Sequence, residues 1–193
     1  MKIFGISGKT QSGKSTVADY IAHGLADDGH SVFIVGFSRG VKWEFVDLYG
    51  WNWSGKYMNS LTDLDQQDVK DMPFKGKTVR DELIRIGIEY RKEDPNVWVN
   101  WWKDYLKGFD DDVVVIVPDV RYPNEVKAIQ DMGGVVIRLI RNPIDAQDET
   151  ETALDFADEG HWNCQYFNHI IDNAVIPEDI TCKLCLDIAR GVK

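Results

Sequence analysis

The chain has 193 residues and a formal charge of -10, from 32 acidic and 22 basic side chains. That length gives one domain with room for inserted lobes, and 44% hydrophobic with 28% charged residues excludes wholesale disorder. So acidic a surface argues against non-specific binding to nucleic acid or anionic membrane, and no apolar run approaches the ~18 residues that a membrane span needs.

In chain order, residues 2–7 read as a short buried strand, which makes the N-terminus a core element rather than a signal peptide. Residues 8–15, Gly-Lys-Thr-Gln-Ser-Gly-Lys-Ser, fit G-x-x-x-x-G-K-[ST], the phosphate-cradling P-loop. Residues 15–27 follow as an amphipathic helix with Val17, Tyr20, Ile21 and Leu25 on one face, and Gly29 is a plausible stop. A second strand is expected over 31–37. Residues 112–120 form the clearest strand, a β-branched run suited to a central parallel position, with Pro118 expected at its end because it cannot donate to a ladder. A helix over 124–132, a turn at Gly133 and Gly134, a strand over 135–140 and a proline-led helix over 177–189 complete the pattern. Alternation of this kind predicts an α/β fold: a mostly parallel central sheet with helices on both faces.

The loop carries the first chemistry. Gly8 and Gly13 let backbone N–H groups converge on phosphate oxygens, and the helix behind adds its positive end. Gly8, Lys9, Thr10, Gln11, Ser12, Gly13, Lys14, Ser15 and Thr16 are therefore the expected nucleotide-binding residues. Lys14 should reach the β- and γ-phosphates, and the Ser15 hydroxyl should sit on Mg²⁺. A chance match on a glycine-rich turn is the alternative, which the strand–loop–helix context opposes. Two stretches break the simple alternation: residues 39–108, which hold six of the seven tryptophans, and the polar, acidic residues 141–165. They divide the chain into a core (1–38, 109–140 and 166–193), an insert over about 39–108 that could hold a phosphate acceptor, and a lid over about 141–165. Cys182 and Cys185 form a C-x-x-C within a helical pattern without a second pair or spaced histidines, so packed, reduced thiols in a reducing compartment are expected rather than a zinc site.

Several segments together resemble the phage-type deoxynucleoside monophosphate kinases, a branch of the P-loop nucleotide kinases. Phe37-Ser-Arg-Gly-Val-Lys42 is similar to that family's Phe-Ala-x-x-Leu-Lys stretch. Residues 80–91, followed by Trp98, resemble its Arg-x-x-Leu-Gln-x-Ile-Gly-Thr-Glu-x-x-Arg segment. Asp119-Val-Arg-Tyr-Pro-Asn-Glu125 is similar to its Asp-Val-Arg-Phe-x-Asn-Glu. Glu151-Thr-Ala-Leu-Asp155 resembles its lid, and residues 170–173 its closing strand. Ile88 stands where threonine is usual, Thr150 where a lid serine is common, and the stretch from Trp43 to Tyr57 has no counterpart.

The resemblance implies an ATP- and Mg²⁺-dependent kinase converting deoxynucleoside monophosphates to diphosphates. Catalytic roles fall to Lys14, Arg80, Asp119, Arg121 and Arg141, and acceptor contacts to Lys42, Arg80, Glu89, Arg91, Trp98 and Glu151. Ser15 and Asp119 would hold the metal. Each has a plainer alternative: Arg80 and Arg91 pairing with Asp81, Glu82 or Glu89, Asp119 capping the next turn, Arg121 an exposed loop charge. Arg138 competes with Arg141 for the lid cation or merely ladders across the sheet, Trp98 packs in a core with Trp101, Trp102 and Tyr105, and His161 and His169 pack or cap. Rival functions are another small-molecule P-loop kinase, acting on a ribonucleotide or dephospho-coenzyme A, and a nucleotide-dependent switch without transfer. The expected partners are small-molecule nucleotides, with no nucleic-acid polymer and no membrane, in a cytoplasm (the host's if phage-encoded), and a homodimer is admitted.

Overall fold

The protein is described by a computed structural model over residues 1–50, 60–141, 153–154 and 166–191. They fall into two units, Met1–Gly36 with Lys107–Lys193, and Phe37–Leu106. Among these residues no helix is long and apolar enough to cross a membrane.

The first unit is built on a five-stranded sheet: β1 (Lys2–Ser7), β2 (Val32–Ile34), β5 (Val114–Val120), β6 (Val135–Ile140) and β7 (His169–Asp172), in the order β2-β5-β1-β6-β7. Every recorded pairing in it is parallel. The fold is α/β and consistent with a P-loop kinase-like architecture. β1 lies at the centre, and its side chains from Ile3 to Ser7 are buried, as a strand covered on both faces requires. Helices α1 (Lys14–Asp27), α6 (Pro123–Asp131) and α7 (Glu178–Gly191) belong to the same unit.

Three expectations need correction. Pro118 lies inside β5, not at its end. The pairing of β1 with β5 steps from Gly5↔Val117 to Ser7↔Val120, and the proline sits in that irregularity, where no ladder N–H is demanded of it. Tyr20 is 45% exposed, and Ala18 takes its place in the buried stripe with Val17, Ile21 and Leu25; turning the small side chain inward leaves the phenol in water. β2 covers only three residues of the expected 31–37, at a sheet edge where Phe33 and Ile34 are exposed.

Cys182 and Cys185 pack with Ile21 and Leu25 in the core of this unit. Burial pushes the Cys185 thiol up to about 12 and raises Cys182 as well. Since the thiolate is the reactive form, a Cys164→Ser chain should react with a disulfide reagent only as fast as it unfolds. A rapid native phase of two thiols would contradict that.

The second unit contains α2 (Ser38–Tyr49), a 3-10 turn (Leu61–Asp65), α3 (Gln67–Lys70), the hairpin β3 (Pro73–Phe74) and β4 (Lys77–Thr78), α4 (Val79–Glu93) and α5 (Val97–Leu106). Phe45, Leu64, Val79, Ile86 and Trp98 are at its core. α4 begins with a capping box: Thr78 Oγ1 accepts from the Asp81 N–H, and the Asp81 carboxylate accepts from the Thr78 N–H.

On α4, Glu82 accepts from Arg85 and from the Tyr49 hydroxyl. The Arg85 hydrogen bond, above all, holds the Glu82 carboxyl down at about 2. A depressed carboxyl contributes stability above its unfolded value, and that contribution is lost as pH falls from about 4.5 toward 2. Arg85 is 41% exposed, so screening reduces the effect to on the order of 1 kcal/mol. Glu82→Gln should therefore be less stable at pH 7 and converge with the parent near pH 2, read by urea unfolding through tryptophan fluorescence. A constant gap across that range would contradict the assignment.

Candidate functional site

The loop between β1 and α1 has the geometry that its glycines require. A Cβ on Gly8 would lie 2.4 Å from Ser12 Oγ and 2.9 Å from the Leu139 carbonyl, so only hydrogen fits there. Gln11 and Gly13 are left-handed at φ 61° and 88°. The loop closes on itself through Ser12 N–H to the Lys9 carbonyl at 3.1 Å, and Gly13 starts the helix by accepting from Val17 N–H at 3.0 Å. Ser12 is buried. The Lys14 ammonium folds back over the loop, donating to the Lys9 carbonyl at 2.5 Å and lying 3.4 Å from Ser12 Oγ. Thr10, Ser15 and Thr16 are exposed. No acidic residue occupies the first turn of α1 and no side chain caps it, so its positive end is available to an anion.

Residues remote in sequence anchor this loop. Asn173, just after β7, donates its Nδ2 to the Ser12 carbonyl at 2.6 Å. Its Oδ1 is buried and has no hydrogen-bond partner. Arg141, at the end of β6, is exposed, with Nη1 3.4 Å from the Gln11 carbonyl. Both side chains line a pocket of about 220 Å³ completed by residues 174–178, of which Val175, Ile176 and Pro177 supply an apolar wall. Only Arg141 of this group is expected from sequence; the role of Asn173 depends on a contact across 161 positions, which no local pattern signals.

Asp119 stands at the carboxyl end of β5, half-buried. Its carboxylate is packed onto Gly36, where an added Cβ would meet Oδ2 at 2.4 Å and Oδ1 at 2.5 Å. The turn that follows is held by Glu125, which is 2% exposed and accepts from the Arg121 N–H at 2.7 Å and the Tyr122 N–H at 3.0 Å. Arg121 itself is half-buried beside this carboxylate-held backbone. Arg138 is buried, pairs in register with Ser7 and donates to its hydroxyl at 2.9 Å, with the Phe167 ring 5.6 Å away. It braces the strand that leads into the loop and is not an exposed lid cation. Among the described residues no cluster of three His, Cys, Asp or Glu side chains is built to hold a metal. Ser15 and Asp119, the residues expected to hold Mg²⁺, offer one hydroxyl and one carboxylate, the kind of oxygen donors that such an ion takes alongside water and phosphate.

In the second unit, Lys42 grips both oxygens of Asp65 at 2.6 Å. Arg80 donates to Gln67 Oε1 at 3.0 Å and Arg91 to the Gly87 carbonyl at 3.1 Å. Of the carboxylates weighed as partners for these arginines, Glu82 and Glu89 pair with Arg85, while Asp81 caps α4 and also feels the Arg80 charge. Glu89 is therefore engaged on the helix surface. Trp98 is 3% exposed with Nε1 donating to the Gly87 carbonyl, so its ring packs two helices together. Trp101, half-buried, stacks on Tyr105 at 8°, and Arg39 lies 5.0 Å over the Tyr105 ring. Glu151 and the other acidic residues of 142–152 and 155–165, with His161 and Cys164, lie outside the described residues, as do 51–59 of the tryptophan-rich stretch.

No known family model matches the chain, and no curated protein does. Among solved structures, one called a "putative kinase from chloroflexus aurantiacus j-10-fl" is similar over 100% of this chain and 97% of its own, at 11% identity and a TM-score of 0.43. So distant a likeness carries neither substrate nor mechanism across, and the α/β architecture stands on this chain's own strand pairings.

Proposed function

We propose that the chain is an ATP- and Mg²⁺-dependent kinase that converts deoxynucleoside monophosphates to diphosphates. The observation that carries this reading is the loop at the end of the central strand, with Lys14 folded over it and α1 opening behind it uncapped. Phosphoryl transfer between nucleotides is a problem of positioning and charge neutralisation, because an acceptor phosphate oxygen is already a nucleophile.

The residues then divide the work. Backbone N–H groups of residues 8–16 and the Lys14 ammonium bind and orient the donor's phosphates. The pocket of Arg141, Asn173 and residues 174–178 takes the donor's base against its apolar wall, with Asn173 fixing the loop. Ser15 and Asp119 would hold Mg²⁺, which supplies charge neutralisation across the donor phosphates. Arg121 offers a fork of donors from the turn that Glu125 holds rigid, and Lys42, Arg80 and Arg91 in the second unit are assigned to the acceptor. The deoxy preference rests on the family resemblance.

A coupled ADP-release assay with ATP, Mg²⁺ and, in turn, dAMP, dGMP, dCMP, dTMP, the matching ribonucleotides and dephospho-coenzyme A tests this reading. Turnover confined to deoxynucleoside monophosphates is expected. Transfer only to ribonucleotides or to dephospho-coenzyme A would replace the acceptor, and ATP binding with no acceptor-dependent turnover would favour a switch.

A further inference from the structure

Three helices of the second unit bring cations toward a carboxylate carried by a fourth element. Asp65 ends the 3-10 turn, Lys70 ends α3, Lys42 rises from α2, and Arg80 sits in the first turn of α4. Lys42 Nζ lies 2.6 Å from Asp65, and Lys70 Nζ lies 3.7 Å from the same oxygen. Lys42 and Lys70 are mostly covered, at 14% and 26% exposure. Arg80 is held to the same corner through Gln67, the first residue of α3. The charges act on one another: burial lowers Lys70 most, Asp65 pulls it back, and Lys42 and Arg80 lower it further. Three cations face two carboxylates, Asp65 and the helix-capping Asp81 on which the Arg80 charge acts, so positive charge is still in excess at this corner of an otherwise acidic chain. Like charges gathered under partial burial cost free energy, and a surface with 32 acidic side chains had other counterions to offer.

From this convergence we infer that Lys42, Lys70 and Arg80 form a binding site for a phosphomonoester dianion, with Asp65 as the built-in counterion that spaces the two lysines. A phosphomonoester carries a charge of about -1.5 to -2 at neutral pH, enough to offset that excess. Arg80 supplies a planar fork for two of its oxygens and the lysines supply point charges. Lys70 is the new member: neither composition nor the family resemblance marks it. The assignment of this dianion as the acceptor's own phosphate rests on the kinase reading above, whereas the anion site itself does not.

The test uses the full chain with its lysines ¹³C-methylated, which keeps their charge, and inorganic phosphate titrated at constant ionic strength. The Lys42 and Lys70 signals should move saturably, separately from those of Lys9 and Lys14. Arg80→Ala should weaken their response, and Lys70→Ala that of Lys42, by about tenfold, the loss of one charge-assisted hydrogen bond, and Lys70→Arg should restore it. Asp65→Asn should tighten phosphate binding, whereas a purely structural ion pair predicts lower stability and no change in phosphate affinity. A response confined to Lys9 and Lys14, or a Lys42 response unchanged by Lys70→Ala, would overturn the site. In steady-state assays Lys70→Ala should raise the KM for the accepted monophosphate about tenfold and leave that for ATP within about twofold. Phosphate binding at these lysines with no monophosphate turned over would keep the site and reject the kinase reading. Normal monophosphate KM in Lys70→Ala would do the reverse.

Discussion

Lys14→Ala is expected to cut ATP-dependent turnover by roughly a hundredfold or more, ~3 kcal/mol of lost transition-state stabilisation. The ammonium is held over the loop by the Lys9 carbonyl and lies within 3.4 Å of Ser12 Oγ, so its position is set before any nucleotide arrives. Preorganised charge of this kind works because it need not reorganise during the reaction. The loop's own bonds, Ser12 to Lys9 and Asn173 to Ser12, do not involve the ammonium, so the variant should melt within a few degrees of the parent. Lys14→Arg should not rescue it, since a planar fork replaces a point charge in a closed loop. Near-normal rates in a folded Lys14→Ala chain would remove this loop from the mechanism.

Gly36→Ala should be nearly as damaging, though its only added atom is one methyl carbon. That carbon would stand 2.4–2.6 Å from the Asp119 carboxyl group, closer than any real contact, so the carboxylate must leave its place. If Asp119 serves the metal, turnover should fall on the order of tenfold to a hundredfold, and the Mg²⁺ concentration for half-maximal rate should rise. Asp119→Ala gives the limiting case, and the double variant should be no worse than Asp119→Ala alone, because both act through one group. Additive losses would show that Gly36 matters for the backbone and not for Asp119.

Local and repetitive information was what the sequence carried well. The strand over 135–140 and the contiguous motif at 8–15 are legible because hydrophobic run and spacing lie within a few residues of each other. Tyr20 shows the limit of periodicity, since neighbouring residues on a helix compete for the buried stripe and the smaller Ala18 wins. Pro118 shows that a rule about ladders is satisfied by a local slip in register as well as by ending the strand. The parts of the candidate site that were not legible are side-chain contacts between distant segments: Gly36 with Asp119, Asn173 with Ser12, Asp65 with Lys42 and Lys70. Such contacts leave no periodic trace, because each depends on where the sheet or the helices of the second unit bring the chain. Glu125 lies between these cases. Its place three residues after Tyr122 is a capping spacing, but only its burial shows that it holds the backbone carrying Arg121.

The most direct measurement follows the γ-phosphate itself. With [γ-³²P]ATP, Mg²⁺ and each deoxynucleoside monophosphate, label should appear in the β-position of the corresponding diphosphate, and Lys14→Ala should abolish it. Label recovered only as inorganic phosphate, with no labelled diphosphate from any acceptor, would contradict the account and leave a nucleotide hydrolase or switch.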